Sequence, residues 1–115
     1  MFAVIYRSYI KPELENEYQK LWHQVASYFI QQRGTIASCL HKTEEGIWLA
    51  YSRWPDKATR DASWSSDHIV NDLPDIIKEA ITKMKNCGVK DHKLPEICME
   101  VVDDLLLTQS KFIRE

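Results

Sequence analysis

The segment from Ile47 to His68 constrains the fold of this 115-residue chain more than any other part of it. It opens with the alternating pattern of a β-strand, which Pro55 interrupts directly after Trp54. Proline fixes its own φ and pushes the preceding residue toward extended geometry, so the strand must end there. A short helical pattern follows and carries Trp64. A strand end beside a short helix, surrounded by large aromatic side chains, is a common place for a small-molecule pocket.

The other periodicities predict the order strand, helix, strand, strand, two helices, strand. Strand patterns cover residues 2–10, 35–43, 47–54 and 96–102, and helix patterns cover residues 11–33, 56–64 and 73–87. Gly34 is placed to end the long helix, and Asn71 or Asp72 is placed to cap the last one. The buried stripe of that last helix is expected to be Leu73, Ile76, Ile77, Ala80, Ile81 and Met84. This order predicts an α+β fold of the ferredoxin-like split βαβ type, an antiparallel sheet with helices on one face.

Composition and charge exclude several classes of function. A net charge of −2, with acids and bases interspersed, lacks the basic face that nucleic-acid binding requires. We expect no membrane span, because no apolar run is long enough, and the N-terminus lacks the pattern of a signal peptide. The cysteines and histidines show neither CxxC nor HxxxH spacing, so we expect no metal site. We also expect reduced, mostly buried thiols in a cytoplasmic protein.

A second copy of the chain is expected to cover part of the sheet. Both faces of the opening strand carry apolar or aromatic side chains, whereas the helices cover only one face. Burying ~800 Å² of apolar surface per chain represents ~20 kcal/mol before association costs, at ~25 cal/mol per Å². Face-to-face pairing of two sheets into a homodimer meets this requirement by symmetry.

Several segments together resemble the antibiotic biosynthesis monooxygenase (ABM) domain family of the dimeric α+β barrel superfamily. The resemblance is carried by Lys11-Pro12-Glu13, Gly34, the segment LAYSRWPDKA and the ending Ser66-Asp67-His68. It covers residues 1–69 and, more loosely, the last strand. It implies one domain over residues 1–115 that pairs into a dimeric barrel, with a helical insertion at about residues 71–88 and a C-terminal tail at residues 103–115.

Two residues near the strand-to-helix joint are the candidate catalytic residues. His68 is the best candidate for a general base because histidine titrates near neutral pH, and the alternative is that it caps the joint through a backbone hydrogen bond. Trp64 either stacks on a planar substrate or fills space in the core.

Four further residues are candidates for substrate binding. Tyr6 and Tyr51 are able to donate a hydrogen bond to a phenolate, although packing on the sheet is the alternative for both. His41, on the second strand, either faces the barrel interior or lies at the surface. Trp54 either lines the pocket or belongs to the core or the dimer contact.

The resemblance, together with these residues, implies a cofactor-independent monooxygenase-like protein that acts on a small aromatic, phenolic or quinol-type compound. We expect no cofactor, since the sequence has no GxGxxG motif and no P-loop. The alternative is a non-catalytic module of the same fold that binds a hydrophobic ligand or a partner. Haem degradation is disfavoured, because haem-degrading relatives carry an asparagine where the first strand offers Tyr6 and Arg7, and a histidine where Pro74 lies ten residues past Trp64.

Overall fold

One antiparallel sheet with helices on one side forms the protein, seen in a computed structural model that describes residues 1–64, 72–90 and 94–106. The strands are β1 (Phe2–Tyr9), β2 (Ala37–Lys42), β3 (Ile47–Trp54) and β4 (Ile97–Glu100); the helices are α1 (Glu15–Gln32), α2 (Lys57–Ser63) and α3 (Asp75–Cys87). A 3₁₀ turn at Pro12–Leu14 leads into α1. The strand order is β2-β3-β1-β4, and every pair is antiparallel. This is the ferredoxin-like order, so the predicted α+β fold is confirmed.

Strand register divides the sheet into two different faces. Val4 lies opposite Ser52 on β3 and Cys98 on β4, whereas the adjacent Ala3 lies opposite Arg53. Successive side chains of a strand point to opposite faces, so the even-numbered strand residues form one face and the odd-numbered ones form the other. The even-numbered face packs against α1 and α3, and we call it the covered face. Neither buried cluster that contains α1 and α3 residues includes an odd-numbered strand residue, although Arg53 on the odd-numbered face pairs with Asp104 of the C-terminal segment at 2.9 Å, and we call this face the open face.

Two buried clusters join the covered face to the helices. The first consists of Val4, Phe29, Trp54, Leu73, Ile77 and Ile81; the second consists of Ile10, Tyr18, Leu21, Trp48, Ala80 and Cys87. Each cluster contains one tryptophan of β3, because Trp48 and Trp54 lie toward opposite ends of that strand on the same face. The two tryptophans therefore support the helices at two separated places.

The first turn of α1 is fixed to the sheet by polar contacts. The Nε1 atom of Trp48 donates a hydrogen bond of 3.0 Å to Oε2 of Glu15, and Nζ of Lys42 lies 2.8 Å from the same oxygen. The Tyr18 ring meets the Trp48 ring edge-on, with centroids 5.6 Å apart. Together these contacts lower the pKa of Glu15, chiefly through its bonds with Lys42 and Trp48.

The short helix α2 starts where the sequence predicts. Asp56 is its N-cap, and its Oδ1 atom accepts a hydrogen bond of 2.7 Å from the backbone N–H of Thr59. The helix ends at Ser63, and its C-cap is Trp64, whose backbone N–H donates to the carbonyl of Arg60 at 2.8 Å. The break at Pro55 therefore turns the chain from β3 directly into a helix that packs beside the sheet.

The start of α3 differs from the prediction. The helix begins at Asp75 with Pro74 as its N-cap, and no side chain caps it, so capping by Asp72 is wrong; Asn71 lies outside the described residues. The residue before a proline avoids helical geometry, which keeps Leu73 outside the helix although its side chain is buried. Ile76, at 64% exposed, does not belong to the buried stripe.

The three cysteines, Cys39, Cys87 and Cys98, are free thiols. Only Cys87 is buried, so the expectation of mostly buried thiols is wrong. The other two lie on β2 and β4, the edge strands of the sheet, where less of the molecule surrounds a side chain. Among the described helices, none has the length and apolar content needed to cross a membrane.

Replacing Gly34 with alanine is expected to destabilise the protein more than the same change at Gly46. Both glycines have positive φ angles, +86° and +88°, which cost an L-residue about 1–2 kcal/mol. A Cβ atom at Gly34 would also lie 3.2 Å from Cγ2 of Thr59 on α2, whereas no described atom lies within 4 Å of one at Gly46. We expect Gly34→Ala to lower the free energy of unfolding by about 2 kcal/mol and Gly46→Ala by about 1 kcal/mol in urea titrations. Equal losses would contradict a close approach of Gly34 to α2.

Candidate functional site

A cavity of about 1090 Å³ lies between the covered face of the sheet and helices α1 and α3. Its floor consists of small side chains from three adjacent strands, Ser8, Ser38, Ala50 and Ser52. These side chains are too short to fill the space beneath the helices, which are held away from the floor by Trp48 and Trp54. The volume suits an organic small molecule.

Aromatic, aliphatic and polar residues all line the cavity. Eight of the lining residues are aromatic: Tyr6, Tyr9, Tyr18, Trp22, Phe29, Tyr51, Trp54 and Trp64. Phe29 of α1 meets Trp54 and Trp64 edge-on, with centroids 6.4 Å and 5.8 Å apart. Such contacts hold the two indoles in defined orientations beside the cavity.

Tyr6 supplies a polar group in this aromatic wall. Its hydroxyl accepts a hydrogen bond of 3.3 Å from Nη1 of Arg60. Burial raises the pKa of Tyr6 to about 12, although the hydrogen bond from Arg60 acts in the opposite direction. The phenol therefore keeps its proton at any physiological pH. Because its oxygen already accepts a hydrogen bond, that proton is available to a ligand.

Arg60 is a buried cation that connects three elements. Its guanidinium makes two bonds to the carboxylate of Glu96, at 2.9 Å and 3.0 Å, and its Nε donates to Asp61 at 2.9 Å. The guanidinium also lies 5.6 Å from the centre of the Phe2 ring. In this way α2 is joined to β1 and to the residue that precedes β4. This bidentate ion pair with Glu96 fixes both the position and the orientation of the Arg60 guanidinium, so it holds Arg60 beside Tyr6.

Sequence reasoning missed Arg60 as part of the site. One signal was present: Arg60, Ser63 and Trp64 are spaced by three and four residues, which places them on one face of a short helix. The structure puts that face inward, since Arg60 and Ser63 are both buried. A buried arginine of this type has a partner in almost every case, and here the partner is 36 positions away in the chain.

The structure brings together three of the residues predicted from sequence. Tyr6, Trp54 and Trp64 line the same cavity. Tyr51 borders it, but strand alternation puts its side chain on the open face, opposite Ile5 and Cys39. The predicted catalytic role of Trp64 and the predicted binding roles of the tyrosines and Trp54 stay predictions.

His41 also belongs to the open face. Its Nδ1 atom lies 3.3 Å from the carbonyl oxygen of Leu49, and its Nε2 atom lies 3.5 Å from Sγ of Cys39. It borders an outer groove of about 1080 Å³ between α1 and β2, which shares Trp22 and Ser38 with the cavity. His68, the candidate general base, lies outside the described residues.

The described residues contain no group of three or more potential metal ligands. The polar groups of the cavity are mostly hydroxyls, which are poor ligands for the common protein metals. The cavity is therefore suited to holding an organic molecule through stacking and hydrogen bonds.

The fold and the cavity define this protein as a small ferredoxin-like α+β domain with a cavity, partly lined by aromatic rings, between its sheet and its helices. The sequence matches the family described as antibiotic biosynthesis monooxygenase over residues 1–71, and the chain belongs to that family. Family membership gives it a monooxygenase-like role. No match was found among curated proteins.

Solved structures agree with this assignment at the level of the fold. A conserved protein from Methanosarcina mazei Go1 superposes with a TM-score of 0.65 at 20% identity, covering 85% of this chain and 89% of that one. A protein described as antibiotic biosynthesis monooxygenase superposes with a TM-score of 0.66 at 18% identity, covering 90% and 100%. SnoaB from Streptomyces nogalater, described as a cofactor-independent oxygenase, gives a TM-score of 0.65 at 13% identity over 91% and 96%. Identities this low establish a shared fold only.

Removing the guanidinium of Arg60 is expected to destabilise the protein strongly. In Arg60→Met the Glu96 carboxylate loses both of its bonds to a buried partner, which costs on the order of 3 kcal/mol of unfolding free energy. Lys57→Met, on the same helix, is the matched control, because Lys57 makes an exposed ion pair with Asp61 worth less than about 1 kcal/mol. Urea unfolding of both variants measures the difference. Similar losses would contradict a structural role for the Arg60–Glu96 pair.

Proposed function

We propose that this protein is a cofactor-independent monooxygenase-like protein that acts on a small aromatic, phenolic or quinol-type compound held in the cavity. The observation that carries the proposal is the cavity itself, with indole walls and the protonated phenol of Tyr6 facing a volume of about 1090 Å³. Likeness in fold to SnoaB, described as a cofactor-independent oxygenase, supports the reaction type.

The reaction needs an electron-rich substrate that loses a proton and then gives an electron to dioxygen. The substrate is the only reductant: one oxygen atom of dioxygen enters it, giving a quinone-type product, and the other leaves as water. A substrate phenolate bound beside Tyr6 would accept a hydrogen bond from the Tyr6 hydroxyl. This hydrogen bond would stabilise the negative charge of the phenolate. Trp54 and Trp64 would hold the flat ring and keep water away from it. His68 remains the candidate that removes the proton.

A non-catalytic module that binds a hydrophobic ligand is the alternative. One observation favours it: among the described residues that line the cavity there is no histidine, and Glu96 is engaged by Arg60. The high pKa of Tyr6 also makes it a poor base at neutral pH. The two functions therefore differ in whether His68 contributes a base.

The open face supports a homodimer. Ile5, Leu49, Ile97 and Met99 lie on it, with Ile5 directly opposite Ile97, and Ile97 is 39% exposed. An apolar sheet surface of this kind is typical of an interface between chains. Two copies related by a two-fold axis would bury the same residues on both chains. The cavity lies on the other face, so each copy would carry its own.

We further propose a single domain over residues 1–115 in the cytoplasm. Contact of α3 with α1 and with the covered face supports one folding unit that includes the expected helical insertion. The free state of all three thiols agrees with a reducing compartment. The expected C-terminal tail lies largely outside the described residues.

Oxygen uptake tests the proposed reaction. The purified protein with a panel of hydroquinones is expected to consume oxygen faster than buffer, and His68→Ala and Trp64→Ala are expected to lose most of this rate. His23→Ala is the matched control, because His23 is exposed on α1 and does not line the cavity. Binding of the same compounds without oxygen uptake would favour the alternative function. Uptake that survives both site variants would contradict the roles of His68 and Trp64.

Sedimentation tests the proposed dimer. We expect the protein to sediment as a dimer at micromolar concentration and Ile97→Lys to shift it toward monomer, because the new charge would be buried between the sheets. Ile76→Lys is the control, since Ile76 is an exposed isoleucine of α3, away from the open face. A monomeric wild-type protein would remove the proposal.

A further inference from the structure

We propose that Thr35 and Ser52 form a polar subsite in the cavity that binds an acceptor oxygen, such as a carbonyl, of the aromatic ligand. This inference rests on the proposed function, since it assumes that the cavity holds an organic ligand. It adds the chemical feature by which that ligand is recognised.

Thr35 carries a buried hydroxyl without a partner. The residue is 5% exposed, and its Oγ1 atom has no hydrogen-bond partner among the described residues. It lines the cavity at the point where the chain passes from α1 into β2. Its backbone is held firmly there, because its N–H donates to the carbonyl of Phe29 at 3.3 Å and the N–H of Ile36 donates to the carbonyl of Arg53 at 2.7 Å. A buried hydroxyl that makes no hydrogen bond is costly, so a ligand oxygen that accepts one from Thr35 would bind favourably there.

Ser52 lines the same cavity and has a proton to donate. Its Oγ atom accepts a hydrogen bond of 3.1 Å from Nε1 of Trp54. A serine hydroxyl that accepts from an indole still carries its own O–H donor. Ser52 is 8% exposed, and it lies on the floor opposite Val4 and Ser38. The Ser52 hydroxyl is therefore a hydrogen-bond donor at the cavity floor.

The two hydroxyls together favour a ligand oxygen that accepts hydrogen bonds. The indole N–H of Trp54, which would otherwise compete for such an oxygen, is already bonded to Ser52. A ligand without an oxygen would leave the buried Thr35 hydroxyl still lacking a partner among the described residues. A site built to hydrogen-bond a ligand oxygen discriminates strongly against the analogue that lacks it.

A matched pair of probes tests the subsite with the protein as purified. 1-Tetralone and tetralin have the same bicyclic skeleton and differ in one carbonyl oxygen. By titration calorimetry, we expect wild-type protein to bind 1-tetralone more tightly than tetralin. Thr35→Val, which keeps the shape of the side chain, is expected to weaken 1-tetralone binding about tenfold and to leave tetralin binding unchanged. Thr35→Ser retains the hydroxyl and is expected to retain the discrimination.

The stability of the ligand-free protein gives an independent readout. Because the Thr35 hydroxyl has no partner among the described residues, Thr35→Val is expected to keep or raise Tm, whereas loss of a satisfied hydroxyl would lower it. Thr82→Val is the control, because the Thr82 hydroxyl donates to the carbonyl of Lys78 on the exposed side of α3. It is expected to leave the binding of both probes unchanged.

The possible failures are distinguishable. If both probes bind and Thr35→Val weakens them equally or not at all, the subsite is overturned while the cavity remains a ligand site. If neither probe binds, the proposed use of the cavity fails together with the subsite. A clear drop in Tm for ligand-free Thr35→Val would also overturn the subsite, since the hydroxyl would then already be satisfied within the protein.

Discussion

The antiparallel pairing of β1 with β3 is the constraint on which the rest of the structure depends. Their residues are paired from Phe2 opposite Trp54 to Tyr9 opposite Ile47 without interruption. A shift of one residue would exchange the two faces of the sheet completely. The core beneath the helices, the small-residue floor of the cavity and the apolar open face are all consequences of this one register.

A second constraint links the cavity to the stability of the fold. Arg60 is needed to hold α2 against β1 and the segment before β4, and the same guanidinium contacts the phenol of Tyr6. The guanidinium of Arg60, whose main contacts stabilise the fold, thereby also orients the hydroxyl of Tyr6. The hydrogen bond from Arg60 holds Tyr6 in place whether or not a ligand occupies the cavity, because the bond lies within the protein.

Much of the fold and part of the site followed from patterns between residues close in sequence. Alternation up to Trp54 and the proline after it predicted β3 and its end, and Gly34 predicted the end of α1. Both predictions are confirmed because backbone geometry at proline, and at glycine with positive φ, is decided locally. Large aromatic residues at the same joint drew attention to Trp54 and Trp64, which line the cavity. The predicted start of α3 is wrong. The sequence offers both Asp72 as a cap and Pro74 as a helix start, and the helix begins after Pro74.

The sequence by itself determined which segments become strands and helices, and in what order. Only the tertiary structure decided which side chains meet at the cavity. Arg60 contacts Tyr6 across 54 positions of chain, and Thr35 lines the cavity with a buried hydroxyl that has no partner among the described residues. The reason is physical. A hydrogen bond between distant residues depends on strand register and on the height at which α1 and α3 pack over the sheet, and neither quantity is encoded in any short stretch of residues.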